Sequence, residues 1–327
     1  MKVLFVTSTR IGDAILSTGL LEHLRLQNPQ LEVTVACGPA AAPLFEALPG
    51  LTRIIVLDKM VFSLHWLRLW LLTIGTFWDL VIDLRNAPAT FLLGRRQRRG
   101  MPRSGGDIRR VERIARVMNL PDIVPPKLWT SAREDILAKE YMPDGGPILA
   151  IGPTANWRAK TWRTENFAEL IERLTAPEGI LPGARVVLLG RDDERPMALR
   201  LIDTIPEDRR IDLVGKLDLL TAYACLARST FYIGNDSGLM HLAAASGVPT
   251  LGLFGPTQES LYAPWGENSD IVRTSIPFEE IFPKNFDHRT SDSLMDSLTV
   301  DMAEAGALSL WQRCLESEAS GPSGSVN

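Results

Sequence analysis

The chain of 327 residues contains few cysteines and few histidines. Its three cysteines, Cys37, Cys225 and Cys314, are odd in number and far apart, which argues against a disulfide framework and a zinc site. The four histidines are scattered without metal-ligand spacing, so no divalent-metal site is predicted. The small number of cysteines and the lack of a recognisable export signal favour a reducing cytoplasm.

The sequence also lacks the motifs of common nucleotide-binding proteins. It has neither a GxxxxGK[ST] phosphate loop nor a GxGxxG turn after a strand, which argues against kinase-type and dinucleotide-binding enzymes. The net charge is only -4, so overall charge does not indicate nucleic acid as a partner.

Long apolar runs are missing as well. The most apolar stretch, "VFSLHWLRLWLLTIGTFW" at residues 61–78, is interrupted by His65 and Arg68, and a spanning helix needs about 20 mostly apolar residues. We therefore expect an amphipathic helix, either buried in the core, which is the commoner case, or lying on a membrane surface.

What the chain does contain is an alternation of strand-like and helix-like segments. The first half combines strands such as "KVLFV" and "WDLVIDL" with the helix "AILSTGLLEHLRLQ", and the pattern restarts after the Pro- and Gly-rich "YMPDGGPI". This repetition predicts an α/β fold with two parallel-sheet, Rossmann-like domains facing a central cleft. We expect the domains at residues 1–142 and 143–315, followed by a disordered tail at 316–327.

Two polar turns and one loop are candidate binding sites. "RIGDAILST" places Gly12 and Asp13 where the first strand passes into the first helix, and "NDSGLMH" at residues 235–241 begins a later helix. Free amides and the positive dipole at a helix start favour phosphate. Simple helix capping is the alternative for both turns, with His241 as a core residue. Lys160 lies in a loop expected at the carboxyl end of a strand, where ligands bind, although most loop lysines are merely solvated.

Several segments, taken in order, resemble glycosyltransferase family nine, the ADP-heptose:lipopolysaccharide heptosyltransferases. They are "GDAILSTGLLEHLRLQNP", "WDLVIDLR", "KTWRTENFAELIERL", "VVLLGRDDE", "NDSGLMHLAAASGVPTLGLFGPT" and "APWG". The resemblance implies a GT-B fold whose first domain binds the acceptor and whose second domain binds most of the nucleotide sugar. The chain departs from the family pattern at Arg163, where proline usually follows the tryptophan, and over residues 280–297.

The same resemblance implies roles for individual residues. Asp13 matches the general base that takes the proton of the acceptor hydroxyl as its oxygen attacks the anomeric carbon. The residues expected to bind the donor, ADP-heptose, are Thr154, Asn156, Lys160, Asp236, Ser237, Gly238 and His241. Since no metal motif or cofactor is expected, Lys160 and a helix N-terminus must stabilise the leaving diphosphate. Attack from the opposite face would invert the anomeric centre.

The acceptor side is predicted from the arginine-rich stretch "LLGRRQRRGMPRSGGDIRR" at residues 92–110. Arginine suits the phosphate and carboxylate groups of a lipopolysaccharide core, and a solvated basic surface is the alternative. We expect acceptor contacts from Gly12, Arg95, Arg96, Arg98 and Arg99, in a cytoplasmic enzyme that lies peripherally at the inner membrane.

Three other functions fit parts of this pattern. They are a GT-B enzyme that uses another nucleotide sugar, a GT-B epimerase, and a non-catalytic nucleotide-sugar-binding protein. Asp13 argues against the last, because a protein that only binds has no use for a base.

Overall fold

The computed structural model describes residues 1–102, 108–284, 286–287 and 290–319. These residues form two compact units, and the chain passes from the first unit to the second between Asp135 and Ile136. The change lies inside a helix, Ala132–Tyr141, ahead of the predicted boundary at residue 142. Residues 218–220 belong to the first unit.

The first unit is built on a five-stranded, wholly parallel sheet in the order β3-β2-β1-β4-β5. Its strands are β1 (Lys2–Val6), β2 (Glu32–Cys37), β3 (Leu51–Val56), β4 (Trp78–Asp83) and β5 (Arg95–Gly100). Its helices are α1 (Ile11–Gln27), α2 (Leu64–Thr73) and α3 (Arg110–Ala115), with short 3-10 helices at Pro39–Phe45, Val61–Ser63, Pro88–Leu92 and Arg116–Met118. Helix α4 (Ala132–Tyr141) begins in the first unit and ends in the second.

The second unit has a six-stranded parallel sheet in the order β11-β10-β9-β6-β7-β8. Its strands are β6 (Ile148–Gly152), β7 (Arg185–Leu188), β8 (Arg210–Asp212), β9 (Phe231–Asn235), β10 (Thr250–Phe254) and β11 (Ser269–Arg273). The helices of this part of the chain are α5 (Thr164–Thr175), α6 (Arg195–Thr204), α7 (Leu219–Ala227), α8 (Gly238–Ser246), α9 (Glu259–Tyr262) and α10 (Val300–Ala319), with 3-10 helices at Arg158–Lys160 and Asp192–Glu194.

The central strands and helix α5 form where their apolar patterns predict them. The central strands β1 and β9 are apolar runs covered on both faces, as parallel sheets require. Helix α5 buries Phe167, Leu170, Ile171 and Leu174 at helical spacing, which turns one face to the core of the second unit.

In each sheet the strand order reverses between two central strands, β1 and β4 in the first unit and β6 and β9 in the second. Ligands of open α/β sheets bind outside the carboxyl ends of the strands at such a reversal. The loops that follow these strands are therefore where a binding site is expected in each unit.

The end of the chain differs from the prediction. Residues 316–319, expected in a disordered tail, continue α10, and residues 320–327 lie outside the described residues. Buried Ala307, Leu310 and Cys314 keep the helical spacing late into α10, and Gln312 donates a hydrogen bond to Glu316 one turn on at 3.1 Å. The small and polar composition of the chain's end hid this continuation.

A buried carboxylate fastens the stretch around Lys127 to α1. Glu22 accepts two hydrogen bonds from Arg25, at 2.7 and 2.8 Å, and one each from Lys127 and the Trp129 indole, both at 3.3 Å. The Arg25 hydrogen bonds, with the nearby Lys127 charge, outweigh the cost of burial and lower the pKa of Glu22 from 4.5 to about 2.

We expect Glu22→Gln to lower the free energy of unfolding by about 2 kcal/mol near neutral pH, because the charged hydrogen bonds are weakened. The folded-state pKa of Glu22 is lower than its ordinary value of 4.5, so the carboxylate stabilises the fold fully above that pH. Its contribution disappears as pH falls through about 2. Urea unfolding across this range should therefore show the two proteins converging in acid.

The matched control is Glu46→Gln, which changes an exposed side chain of the same unit and should have no effect at any pH. A deficit of Glu22→Gln that stayed constant into strong acid would show that lost packing, not charge, was responsible.

Candidate functional site

The loop after β6 is tied to the end of β9 by one buried amide. Asn235, the last residue of β9, is fully buried. Its Oδ1 accepts a hydrogen bond from the backbone N–H of Trp162 at 3.0 Å, and its Nδ2 donates to the Pro153 carbonyl at 2.8 Å. Both ends of the loop 153–162 are thus fixed to the strand at the centre of the sheet.

The same loop is anchored in the core by Trp162. The indole is buried, packs edge-on against Phe167 at 5.1 Å between ring centroids, and donates to the Leu298 carbonyl at 2.8 Å. These contacts hold the backbone of the loop close to the carboxyl end of the sheet.

Lys160 and Asp236 form an ion pair at this edge. The Lys160 ammonium donates to Asp236 Oδ2 at 2.6 Å, and both side chains are largely shielded from solvent. Among the described residues this is the one hydrogen bond of the Lys160 ammonium, which has three protons to donate. Two protons therefore remain for a ligand.

Asp236 leads directly into α8, whose first-turn N–H groups have no partner within the helix. Ser237 occupies the N-cap position, but its hydroxyl makes no capping hydrogen bond, so capping does not account for its side chain. Gly238 is the first residue of α8, and His241 is buried one turn further along.

Thr154 and Asn156 lie in the same loop but in different surroundings. Thr154 is buried two residues after the end of β6 and donates to Glu194 Oε2 at 2.7 Å, while Asn156 is exposed. The same Glu194 oxygen also accepts from the Arg191 N–H at 3.1 Å. Glu194 was not among the predicted residues, although it lies within the quoted segment "VVLLGRDDE".

A buried tyrosine lies against two paired glycines, Gly152 of β6 and Gly234 of β9. Tyr232 is fully buried, and a Cβ at Gly152 or Gly234 would lie 2.1 or 2.3 Å from its hydroxyl oxygen. The phenol thus occupies the space that side chains at those two positions would fill. Burial raises the pKa of Tyr232 well above its ordinary value, so the hydroxyl stays neutral. The sequence reasoning missed this residue, because it took β9 only as an apolar strand.

In the first unit, Asp13 lies in the first turn of α1, after β1. The helix begins at Ile11 with Arg10 at the N-cap, so the capping alternative for Asp13 is wrong. Its Oδ1 accepts a hydrogen bond from Arg110 Nε at 3.1 Å, and the carboxylate stays partly open to solvent. Arg110 belongs to the arginine-rich stretch, but the sequence did not indicate this pairing.

The predicted acceptor arginines divide into two kinds. Arg98 pairs with the buried Asp83 at 2.9 Å and lies 3.8 Å above the Phe91 ring, and Arg95 donates to the carbonyls of Phe91 and Leu93. These two hold β5 and the preceding 3-10 helix in place. Arg96 is exposed and Arg99 is half-buried.

In the described part of the chain, no group of three or more His, Cys, Asp or Glu side chains is arranged to hold a metal ion. None of the helices in those same residues has both the length and the apolar character to cross a membrane.

With this geometry in place, comparison with known proteins identifies the class. The sequence model of glycosyltransferase family 9 (heptosyltransferase) matches residues 109–284, which is more than half of the chain. The chain therefore belongs to this family, and the predicted enzyme class is confirmed. The lipooligosaccharide heptosyltransferase 2 of Haemophilus influenzae is 26% identical over 311 residues, which cover 84% of this chain and 88% of that protein.

Solved structures show the fold. The Escherichia coli ADP-heptose lps heptosyltransferase II matches with a TM-score of 0.74 and 21% identity, covering 96% of this chain and 100% of that one. The E. coli heptosyltransferase WaaC with ADP matches with a TM-score of 0.71 and 20% identity, covering 95% and 100%. The predicted GT-B fold with two parallel-sheet α/β domains is confirmed.

We expect Asn235→Asp to lower the free energy of unfolding by about 1–3 kcal/mol. The carboxylate can still accept from Trp162, but it loses the hydrogen bond to the Pro153 carbonyl and places a charge against that oxygen in a fully buried position. Thermal unfolding measures the effect. Asn156→Asp makes the same change at an exposed position of the same loop and should leave the melting temperature unchanged; equal melts for the two variants would refute the buried clamp.

Proposed function

We propose that the chain transfers heptose from ADP-heptose to a lipid-linked acceptor of the lipopolysaccharide core, with inversion and without a metal ion. The observation that carries this proposal is the Lys160–Asp236 pair at the start of α8, where an ammonium and free N–H groups converge. That arrangement suits a diphosphate. Membership of the heptosyltransferase family and the likeness to a structure holding ADP support the choice of donor.

The donor phosphates would lie at the carboxyl ends of β6 and β9. As the bond between the anomeric carbon and the phosphate oxygen breaks, its electron pair leaves with the diphosphate. Lys160 and the first-turn amides of α8 would stabilise that charge, and loss of one such contact typically raises a barrier by about 3–4 kcal/mol. Thr154, Ser237 and Gly238 border the same edge and would contact the donor.

The acceptor hydroxyl would lose its proton to Asp13. A carboxylate is a weak base, so the proton moves late, as the new bond to the anomeric carbon forms. Arg110 fixes one carboxylate oxygen, Oδ1. The other, Oδ2, accepts only a long hydrogen bond from the Ser8 hydroxyl at 3.5 Å and would accept the proton of the acceptor. Attack on the face opposite the leaving diphosphate inverts the anomeric centre.

No step of this mechanism needs a bridging cation, because the lysine and the amides supply the positive charge. We therefore expect turnover to be unchanged in excess EDTA. An activity that EDTA abolishes and Mg²⁺ or Mn²⁺ restores would refute metal independence.

A lipid-linked acceptor would bring the chain to a membrane. We propose that it works peripherally at the inner face of the inner membrane, with Arg96 and Arg99 meeting acidic groups of the acceptor.

We expect Lys160→Ala to weaken ADP binding by roughly tenfold to a hundredfold, because one charged contact is lost and Asp236 is left beside the phosphates. Isothermal calorimetry with ADP measures the affinity. The variant should still fold, with a lower melting temperature because Asp236 loses its partner. The matched control is Lys216→Ala, which removes another lysine near an aspartate, Asp212, at 3.6 Å. Unchanged ADP affinity in Lys160→Ala would remove this residue from the site.

We expect Asp13→Asn to reduce turnover by roughly 10² to 10⁴, because the amide keeps the size of the side chain but cannot accept the proton. ADP affinity and the thermal melt should stay near wild type. Asp122→Asn, at an exposed position of the same unit, serves as the control. Near-normal turnover of Asp13→Asn would mean that the base is another group, and would reopen the possibility of a protein that only binds the nucleotide sugar.

A further inference from the structure

Helix α2 is apolar on two faces. On its inner face Leu69 is fully buried, and Trp66 and Trp70 pack against the core of the first unit. The outer face carries Leu64, Leu67, Leu71 and, just past the helix end, Ile74, and all four are exposed. Their spacing of three, four and three residues places them in one stripe. Packing against the core therefore accounts for the apolar residues on the inner face of α2 and leaves those on the outer face unexplained.

The stripe is extended by an aromatic residue in an unusual conformation. Phe62 and Ser63 both have positive φ angles, of 53° and 58°, and Phe62 is 92% exposed. Bulky residues rarely adopt this left-handed conformation, and holding them there costs free energy. The turn before α2 thus displays a large apolar ring to solvent at the start of the stripe.

Neighbouring segments widen the same face. The 3-10 helix Pro88–Leu92 packs against α2 and exposes Phe91 and Leu92. Phe77 is also exposed, and its ring lies 3.3 Å from where a Cβ on Gly94 would be. We call the exposed apolar side chains of residues 61–77 and 91–92 the α2 surface. Single exposed apolar residues are ordinary, whereas a group of this size marks an interaction site.

The charges within the segments that form the α2 surface have one sign. Residues 59–77 and 88–100 contain no aspartate or glutamate, and Lys59 and Arg68 are exposed among them. The neighbouring carboxylates are Asp58, which is exposed beside Lys59, and Asp79, which pairs with Arg96 at 3.4 Å. A two-fold contact between copies of this chain would bring the same cations together, since each copy presents the same face. An anionic bilayer offers both of the missing partners: lipid phosphates for the cations and an apolar layer for the stripe.

We infer that the α2 surface docks on an anionic phospholipid bilayer. Phe62 and the outer stripe of α2 enter the boundary between headgroups and acyl chains, and Lys59 and Arg68 lie at the lipid phosphates. The inference rests on the proposed function in one respect: transfer to a lipid-linked acceptor requires the enzyme at the membrane. The binding itself needs no substrate.

The test is sedimentation of the full chain with vesicles, without donor or acceptor. One set contains equal parts of phosphatidylglycerol and phosphatidylcholine, and the other contains phosphatidylcholine alone. We expect binding to the first set, weakened by salt, and little binding to the second. The double variant Leu64→Gln with Leu71→Gln should bind about tenfold or more weakly.

The matched control is Leu308→Gln with Leu315→Gln. It changes two leucines with the same separation on α10, and these are 45% and 47% exposed, against 45% and 61% for Leu64 and Leu71. It should bind like wild type. A charge variant, Lys59→Gln with Arg68→Gln, should also lose about tenfold or more on the anionic vesicles.

Three results would overturn the inference. They are no binding of the wild type to anionic vesicles, equal binding by the α2 and α10 variants, and a wild-type dimer in solution that the α2 variant dissociates. Turnover of the α2 variant on a deacylated, water-soluble acceptor keeps this test apart from the proposed function. On this acceptor the α2 variant should turn over as fast as the wild type. If the wild type and the α2 variant were both inactive, the result would count against heptose transfer and not against docking.

Discussion

The candidate donor site depends on the side-chain amide of Asn235. A loop of ten residues that carries a lysine would normally sample many conformations, and its ordering costs free energy at every residue. Asn235 satisfies a donor at one end of this loop and an acceptor at the other, in a fully buried position. An unmet backbone group there would cost more than the hydrogen bond contributes. The loop therefore has one favoured path, and that path brings Lys160 to Asp236.

The Lys160–Asp236 pair has a second consequence. Asp236 lies at the positive end of α8, where its charge is stabilised, and it also neutralises Lys160. In the proposed mechanism, an arriving diphosphate must therefore share the lysine with this carboxylate. Such a site holds its cation in position before the ligand arrives, so little ordering remains to be done on binding. The same carboxylate would limit how tightly the diphosphate is held, and this would favour release of the product.

The central strands and the presence of two parallel sheets could be predicted from the sequence, because the sequences of fully buried parallel strands are uninterrupted apolar runs. Strand β5 was missed for the opposite reason: at the edge of a sheet, arginines can extend into water, so nothing apolar marks it. Interactions between residues that are distant in the chain could not be predicted from the sequence either. The pairing of Asp13 with Arg110 joins residues far apart in the chain, and no local pattern indicates it. Arg98 looked like a free surface cation, yet the buried Asp83 holds it in place.

The arginines of β5 also oppose association between copies of this chain. An edge strand exposes a row of unpaired N–H and C=O groups, which can template pairing with a strand of another molecule. Two copies that approached through β5 would bring Arg96 and Arg99 of each copy together, and this repulsion opposes association before any backbone hydrogen bond can form. A chain that gathers at high local density on a surface meets its own copies often, and such an edge keeps those encounters from becoming aggregates.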